Sequence, residues 1–123
     1  MWFNQRARLR AVYETQAVIE FDNEGNIRTA NANFLKATGY RLEEIRGRHH
    51  RMFVGAEYAA SEEYRQFWRD LGARRTLDAE FQRFGKGGRE VWLKASYCPL
   101  PGLFGQHNGV VKFAVDITAT CKL

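Results

Sequence analysis

Cysteine is scarce in this chain. Cys98 and Cys121 are the only two in 123 residues, which excludes both a disulfide scaffold and a thiolate metal cluster. Both read as reduced thiols. Long apolar runs are also missing. A helix that spans a bilayer needs about 18 or more consecutive apolar residues, and no such stretch occurs. The opening, MWFNQRARLRAVYE, lacks the apolar stretch of a secretion signal, so the expected location is cytoplasmic. There is no nucleophile elbow, phosphate loop or zinc signature. The GKGG at 85–88 is too short to cradle a phosphate and reads as a turn. Without these devices the chain is not expected to be an enzyme. It also contains no internal repeat and no low-complexity segment.

What is present is core-forming material. Apolar residues make up 45% and aromatics 14%, with three Trp and nine Phe, enough for one folded domain around one core. The net charge is +5, from 19 basic and 14 acidic residues. The arginines are scattered (Arg6, Arg8, Arg10; Arg46, Arg48, Arg51; Arg74, Arg75), and no nucleic-acid motif accompanies them. They read as a solvated basic surface, with no nucleic-acid partner.

Hydrophobic periodicity divides the chain into elements. Residues 1–15 read as an N-terminal amphipathic helix, with Trp2, Leu9 and Val12 on one side and arginines on another, suited to a cap or a dimer contact. Ala17, Ile19 and Phe21 alternate as a strand, and Ile27 to Ala30 return as its hairpin partner. Asn31 is an N-cap candidate and Gly39 a helix terminator. Leu42 and Ile45 suggest one further helical turn. Ser61 opens the clearest helix, with Glu62 and Glu63 in its first turn and Tyr64, Phe67, Trp68 and Leu71 along one face. Three strands follow. Leu77, Ala79 and Phe81 share a face of the first, and Val91, Leu93, Ala95 and Tyr97 a face of the second. Val111, Phe113, Val115 and Ile117 are the expected apolar face of the last. The resulting fold class is α+β: a five-stranded antiparallel sheet with short helices on one face.

The pair His49 and His50 admits several readings. Neighbouring side chains diverge on a helix or strand, and His107 is the only other histidine, so a shared metal is disfavoured. Haem needs a single protein ligand and stays open for either His49 or His50. A structural turn is the plainer reading, with a neutral imidazole bonding backbone groups and Met52 and Phe53 entering the core.

The segments NIRTANANFLKATGYRLEEIRGRHHRMF, SEEYRQFWRDL, GKGGREVWLKASYCPL and VVKFAVDIT resemble PAS domains, in particular those of bacterial methyl-accepting (aerotaxis-type) chemotaxis receptors. The resemblance runs from Gln16 to Thr118. It implies residues 16–119 as a PAS sensor domain, residues 1–15 as a preceding helix and residues 120–123 as the start of a connector. It also implies a homodimer and a downstream helical signalling region that controls a histidine kinase. Because the chain stops at Leu123, just past "DIT", the expectation is a module of a longer receptor. The resemblance bears on cofactors as well. Haem-binding members of this group carry their histidine where Val54 stands and a tryptophan near Ala114. Flavin adenine dinucleotide (FAD) binders usually carry a tryptophan where Leu77 stands, while Trp68 and Trp92 resemble positions in that group. Asn31, Phe34, Trp68, Phe81 and Trp92 are therefore the candidate cofactor pocket, set against the plainer reading that the aromatics fill the core. Two other functional readings stay open: a ligand-free PAS dimerisation domain, or the sensor of a histidine kinase or cyclic-dinucleotide enzyme.

Overall fold

A computed structural model describes residues 5–121. In chain order it contains α1 (Gln5–Thr15), β1 (Ala17–Phe21), β2 (Ile27–Ala30), α2 (Ala32–Thr38), α3 (Leu42–Ile45), a 3₁₀ turn (His50–Phe53), α4 (Ala56–Ala59), α5 (Glu62–Gly72), β3 (Leu77–Phe84), β4 (Glu90–Pro101), β5 (His107–Asp116) and α6 (Thr118–Cys121). The five strands form one antiparallel sheet in the order β2-β1-β5-β4-β3. Trp2 and the Leu9 side chain, both assigned to the apolar side of the first helix, lie outside the described residues, as do residues 122 and 123.

Local chemistry sets the helix boundaries. The Asn31 side-chain oxygen accepts from the Phe34 amide at 3.0 Å and starts α2, which satisfies one of the free amides of a first turn. Gly39, at φ 80°, ends α2 by donating its N–H to the Leu35 carbonyl, a conformation that costs a glycine little. Ser61 Oγ accepts from the Tyr64 amide at 3.1 Å to start α5. Tyr64, Phe67 and Leu71 then share the buried face of α5.

The core lies between the helices and one face of the sheet. Ile19, Phe21, Phe34, Ile45, Phe53, Leu71, Leu93 and Tyr97 are all essentially inaccessible. Burying a side chain the size of Leu or Phe contributes about 1.5–3 kcal/mol. The inward face of β4 is Val91, Leu93, Ala95 and Tyr97, as its alternation indicates. β4 also continues through Pro99 to Pro101, where the prolines suggest a loop. The register shifts between Pro99 and Pro101, the kind of irregularity that tolerates a missing amide donor.

The expected face of β5 is reversed. Val111, Phe113 and Val115 lie on the outer side of the sheet, with Val115 48% exposed, and Val110, Lys112 and Ala114 face the core. The register requires this, because Ile19 pairs with Lys112 and Phe21 with Val110, and Tyr97 pairs with Lys112 from the other side. Lys112 is therefore 1% exposed. Its Nζ lies 4.9 Å from the centre of the Tyr97 ring and 5.8 Å from that of Phe34. It forms no ion pair among the described residues. Burial first, and the nearby Arg83 second, push the lysine well below its ordinary value of 10.5.

Deprotonating or desolvating that amine works against folding, and the ring faces offset only part of the cost. Lys112→Met keeps the length and removes the charge. It is expected to stabilise the domain by about 1–3 kcal/mol at pH 7, read by urea denaturation. The unfolded lysine is protonated up to about pH 10.5, so the advantage should shrink as pH rises towards that value. A net loss of stability at pH 7 would mean the ring contacts outweigh desolvation.

Candidate functional site

The two histidines are built for different tasks. His49 precedes the 3₁₀ turn; its Nδ1 accepts from the Arg51 amide at 2.9 Å. Its Nε2 lies 2.8 Å from the Glu24 carbonyl. An amide can only donate and a carbonyl only accept, so the ring is the neutral Nε2–H tautomer. His49 thus ties the turn to the β1–β2 hairpin.

His50 points the other way, into the core, and is fully buried. Its Nδ1 is 2.7 Å from Tyr64 Oη and its Nε2 is 3.0 Å from Tyr97 Oη. Arg83 Nη2 donates to that same Tyr97 oxygen at 3.2 Å. Tyr97 is itself fully buried, so its hydroxyl proton needs an acceptor, and His50 Nε2 is the one in reach. The imidazole then carries its proton on Nδ1 and donates to Tyr64. The result is a directed chain: Arg83 to Tyr97 to His50 to Tyr64. Burial drives its titrating members to their neutral forms. His50 is held well below 6.5, by desolvation first and then by Arg83 and Lys112. Tyr64 is pushed up to about 12, and Tyr97 is also raised.

This carries a pH dependence. The unfolded chain protonates His50 near pH 6.5 and the folded chain does so only well below it, so the unfolded state binds the extra proton in between. Stability is full above pH 6.5 and falls as pH drops below it, at up to about 1.4 kcal/mol per pH unit for one such group. His49 is lowered as well and acts in the same direction. Urea titrations between pH 7.5 and 5 should show this slope, and a flat profile would mean His50 is protonated in the folded core.

The five residues assigned to a cofactor pocket do not share one. Asn31 spends its amide on structure: its oxygen accepts from Val18 and Phe34, and its nitrogen donates to the Tyr13 and Gln16 carbonyls. Phe34 is sealed in the core against Phe53. Trp68 is half-buried on α5, beside Phe21, His49, His50 and Phe67. Phe81 projects inward from β3 and packs edge-on against Tyr97, with ring centres 5.2 Å apart. Trp92 is the clear departure. It alternates with the inward Val91 and Leu93, so it lies on the opposite face of the sheet, where its Nε1 donates to Glu90. It cannot line a slot with Phe81.

The interior does not fit either large cofactor as packed. Both nitrogens of His49 and both of His50 are already bonded, so iron coordination would break an existing bond. The slot a flavin ring would enter, between α5 and the sheet, is filled by Phe67 against Tyr97 at 4.9 Å and His50 against Tyr97 at 5.7 Å. No cluster of three or more metal-ligating side chains occurs among the described residues.

What sequence patterning misses is the buried polar set. Arg83 shares its parity with Leu77, Ala79 and Phe81, so alternation points it inward. Its charge alone suggests otherwise.

The accessible concavities lie elsewhere. An open groove of about 600 Å³ runs between β3 and the corner where α4 meets α5. A second groove lies where the chain enters and leaves the sheet, lined by Thr15, Ala17, Asp116 and Thr118 among others. There β1 and β5 are neighbours, with Ala17 opposite Ala114, so α1 joins the sheet and α6 leaves it at adjacent points. Asp116 Oδ1 accepts from the amide and hydroxyl of Thr118, and Thr118 Oγ1 accepts from the Trp92 amide at 3.0 Å. The start of α6 is thereby fastened to β4. No helix among the described residues is long and apolar enough to cross a membrane.

Comparison with known proteins agrees with this geometry. Solved structures share the fold: a PAS domain from Colwellia psychrerythraea superposes with a TM-score of 0.77 at 20% identity, covering 93% of this chain and 97% of that one. An RNA-binding light-oxygen-voltage receptor superposes at 0.78, also at 20% identity, covering 95% of this chain and 34% of that one. In sequence, the chain is 41% identical over 111 residues to the biofilm dispersion protein BdlA of Pseudomonas aeruginosa, covering 90% of this chain. It spans only 27% of that relative's length. The PAS-fold family profile matches residues 15–121, and the chain belongs to that family.

Proposed function

We propose that this PAS domain is the signal-input module of a cytoplasmic, chemotaxis-type bacterial receptor. In this reading it makes and breaks no bonds. It passes the state of its interior or its surface grooves to α1 and α6, and through them to helices that control a histidine kinase. The signalling reading is carried by the 41% identity to a dispersion protein of which the chain matches about a quarter, and the receptor class by the resemblance of residues 16–118 to chemotaxis-receptor PAS domains. The adjacent points at which α1 and α6 join the sheet support it. The test is the coding frame beyond Leu123. The expected sequence is a long heptad-patterned helical signalling region. A frame that encodes a kinase or a cyclic-dinucleotide enzyme directly, or no further domain, overturns the receptor assignment.

The same reading includes a homodimer built from α1 and the outer sheet face. Tyr13 is 47% exposed on α1, and Val115 48% on that face. Sedimentation should show a dimer for the whole chain and a monomer after Val115→Glu with Tyr13→Glu. A dimer that persists in the double variant, or a monomer at the start, rejects this surface.

A further inference from the structure

We propose that the groove between β3 and the α4–α5 corner binds a monocarboxylate with an apolar, ring-like body, its carboxylate held by Arg83. The inference rests on the signal-input reading and gives it a ligand class.

Arg83 carries the argument. It is 4% exposed yet lines this groove. Its Nη1 donates to the Gln82 carbonyl and its Nη2 to Tyr97, while its buried Nε–H has no hydrogen-bond partner. A guanidinium is always charged, and a charge this buried normally has a partner. Among the described residues no carboxylate pairs with it. The Arg83 Cζ lies 4.8 Å from the centre of the Phe81 ring and 5.9 Å from that of Phe67, which offsets part of the charge. The bare Nε–H still calls for an acceptor, and no carboxylate among the described residues supplies one. Carboxylate is the anion whose flat geometry suits a guanidinium edge.

The rest of the groove selects the body and the valence. Val54, Tyr58, Phe81 and Phe84 supply apolar and aromatic walls, and a volume of about 600 Å³ suits a small organic molecule. Glu57, Glu63 and Glu80 also line it and are exposed. None of the three is within ion-pair distance of Arg83. They make the remaining groove walls negative, so a second negative charge on the ligand is repelled and dicarboxylates and phosphate esters are selected against. The occupant that satisfies both halves has one negative end and a greasy remainder. Anchoring its carboxylate on Arg83 would also touch the Arg83–Tyr97–His50–Tyr64 chain, so occupancy reaches the core.

The test is calorimetric titration of the whole chain with three probes: phenylacetate, phenylacetamide and succinate. Phenylacetate should bind at least tenfold more tightly than the uncharged amide, and at least tenfold more tightly than succinate. Amide chemical shifts on adding phenylacetate should move around Phe81, Arg83 and Phe84. Arg83→Met should abolish the preference for acid over amide. Because that change also removes a donor to Tyr97, Glu57→Gln with Glu63→Gln serves as a second variant at exposed positions. It should admit succinate, narrowing the phenylacetate-to-succinate ratio several-fold. Equal binding of acid and amide, no binding of phenylacetate, or shifts clustered elsewhere would each overturn the site. Those results leave the receptor assignment to the coding-frame test, which does not depend on them.

Discussion

His50→Leu is expected to destabilise the domain by about 4 kcal/mol. Leucine fills much of the imidazole's space, so the loss is chiefly polar. Tyr64 Oη and Tyr97 Oη, at 2.7 and 3.0 Å from the ring nitrogens, both lose a hydrogen bond inside the core. Tyr97 keeps the one it accepts from Arg83, but its own proton is left without an acceptor. A buried polar group stranded in this way costs about 1–3 kcal/mol, and there are two. The ring also packs against Phe21, Phe53 and Phe67 at centre distances of 5.3, 6.0 and 5.8 Å, contacts that leucine only partly replaces. A second substitution separates the contributions. Adding Tyr64→Phe to His50→Leu removes one stranded hydroxyl and should return about 1–2 kcal/mol. Adding Tyr97→Phe should return less, because Arg83 would lose its acceptor in turn. Urea denaturation of the single and double variants settles it. A single-variant cost under about 1 kcal/mol would mean that the hydroxyls find water when the imidazole is gone.

Gly109→Ala is the second large effect, at about 3 kcal/mol or more. Gly109 holds φ 106°, a conformation that L side chains enter at a cost of order 1–3 kcal/mol. Space is missing as well. A methyl group there would run into the Phe21 carbonyl oxygen of the adjacent strand and come within 2.6 Å of Arg28 Nη1. The arginine can swing aside. The Phe21 backbone cannot, because β1 is held in register by β5 and β2. Gly105→Ala is the control: its φ is also positive, at 80°, but a methyl group there would meet nothing within 4 Å. That change should cost about 1–2 kcal/mol, the left-handed penalty alone. Thermal denaturation of both variants should separate them clearly, and equal losses would argue against the clash.

These sites show how unevenly the sequence discloses its structure. Elements with strong local signals read correctly: the Asn31 cap, the Gly39 stop, the Ser61 start of α5 and the alternation of β4. Their causes lie within a few residues of the effect. β5 misleads because both of its faces carry apolar residues, and the outer set, Val111, Phe113 and Val115, is the greasier. Only pairing across the sheet decides the matter, through Ile19 opposite Lys112 and Tyr97 opposite Lys112. A lysine between two aromatic rings leaves no local trace. The candidate pocket misleads for a related reason. Residue type and resemblance group Phe34, Trp68, Phe81 and Trp92, whereas strand parity sends Trp92 through to the far side. The histidine pair is half legible: His49 serves the turn, but the role of His50 depends on Tyr64 and Tyr97, which approach from distant parts of the chain.

The adjacency of β1 and β5 has a consequence for how such a unit travels between genes. Where Ala17 faces Ala114, the strands are about 5 Å apart, so the points of entry and departure nearly coincide. Cutting the unit out would leave two loose ends almost touching, and pasting it in would ask little of the host on either side. A longer protein can therefore collect or discard copies while its remaining parts keep their spacing.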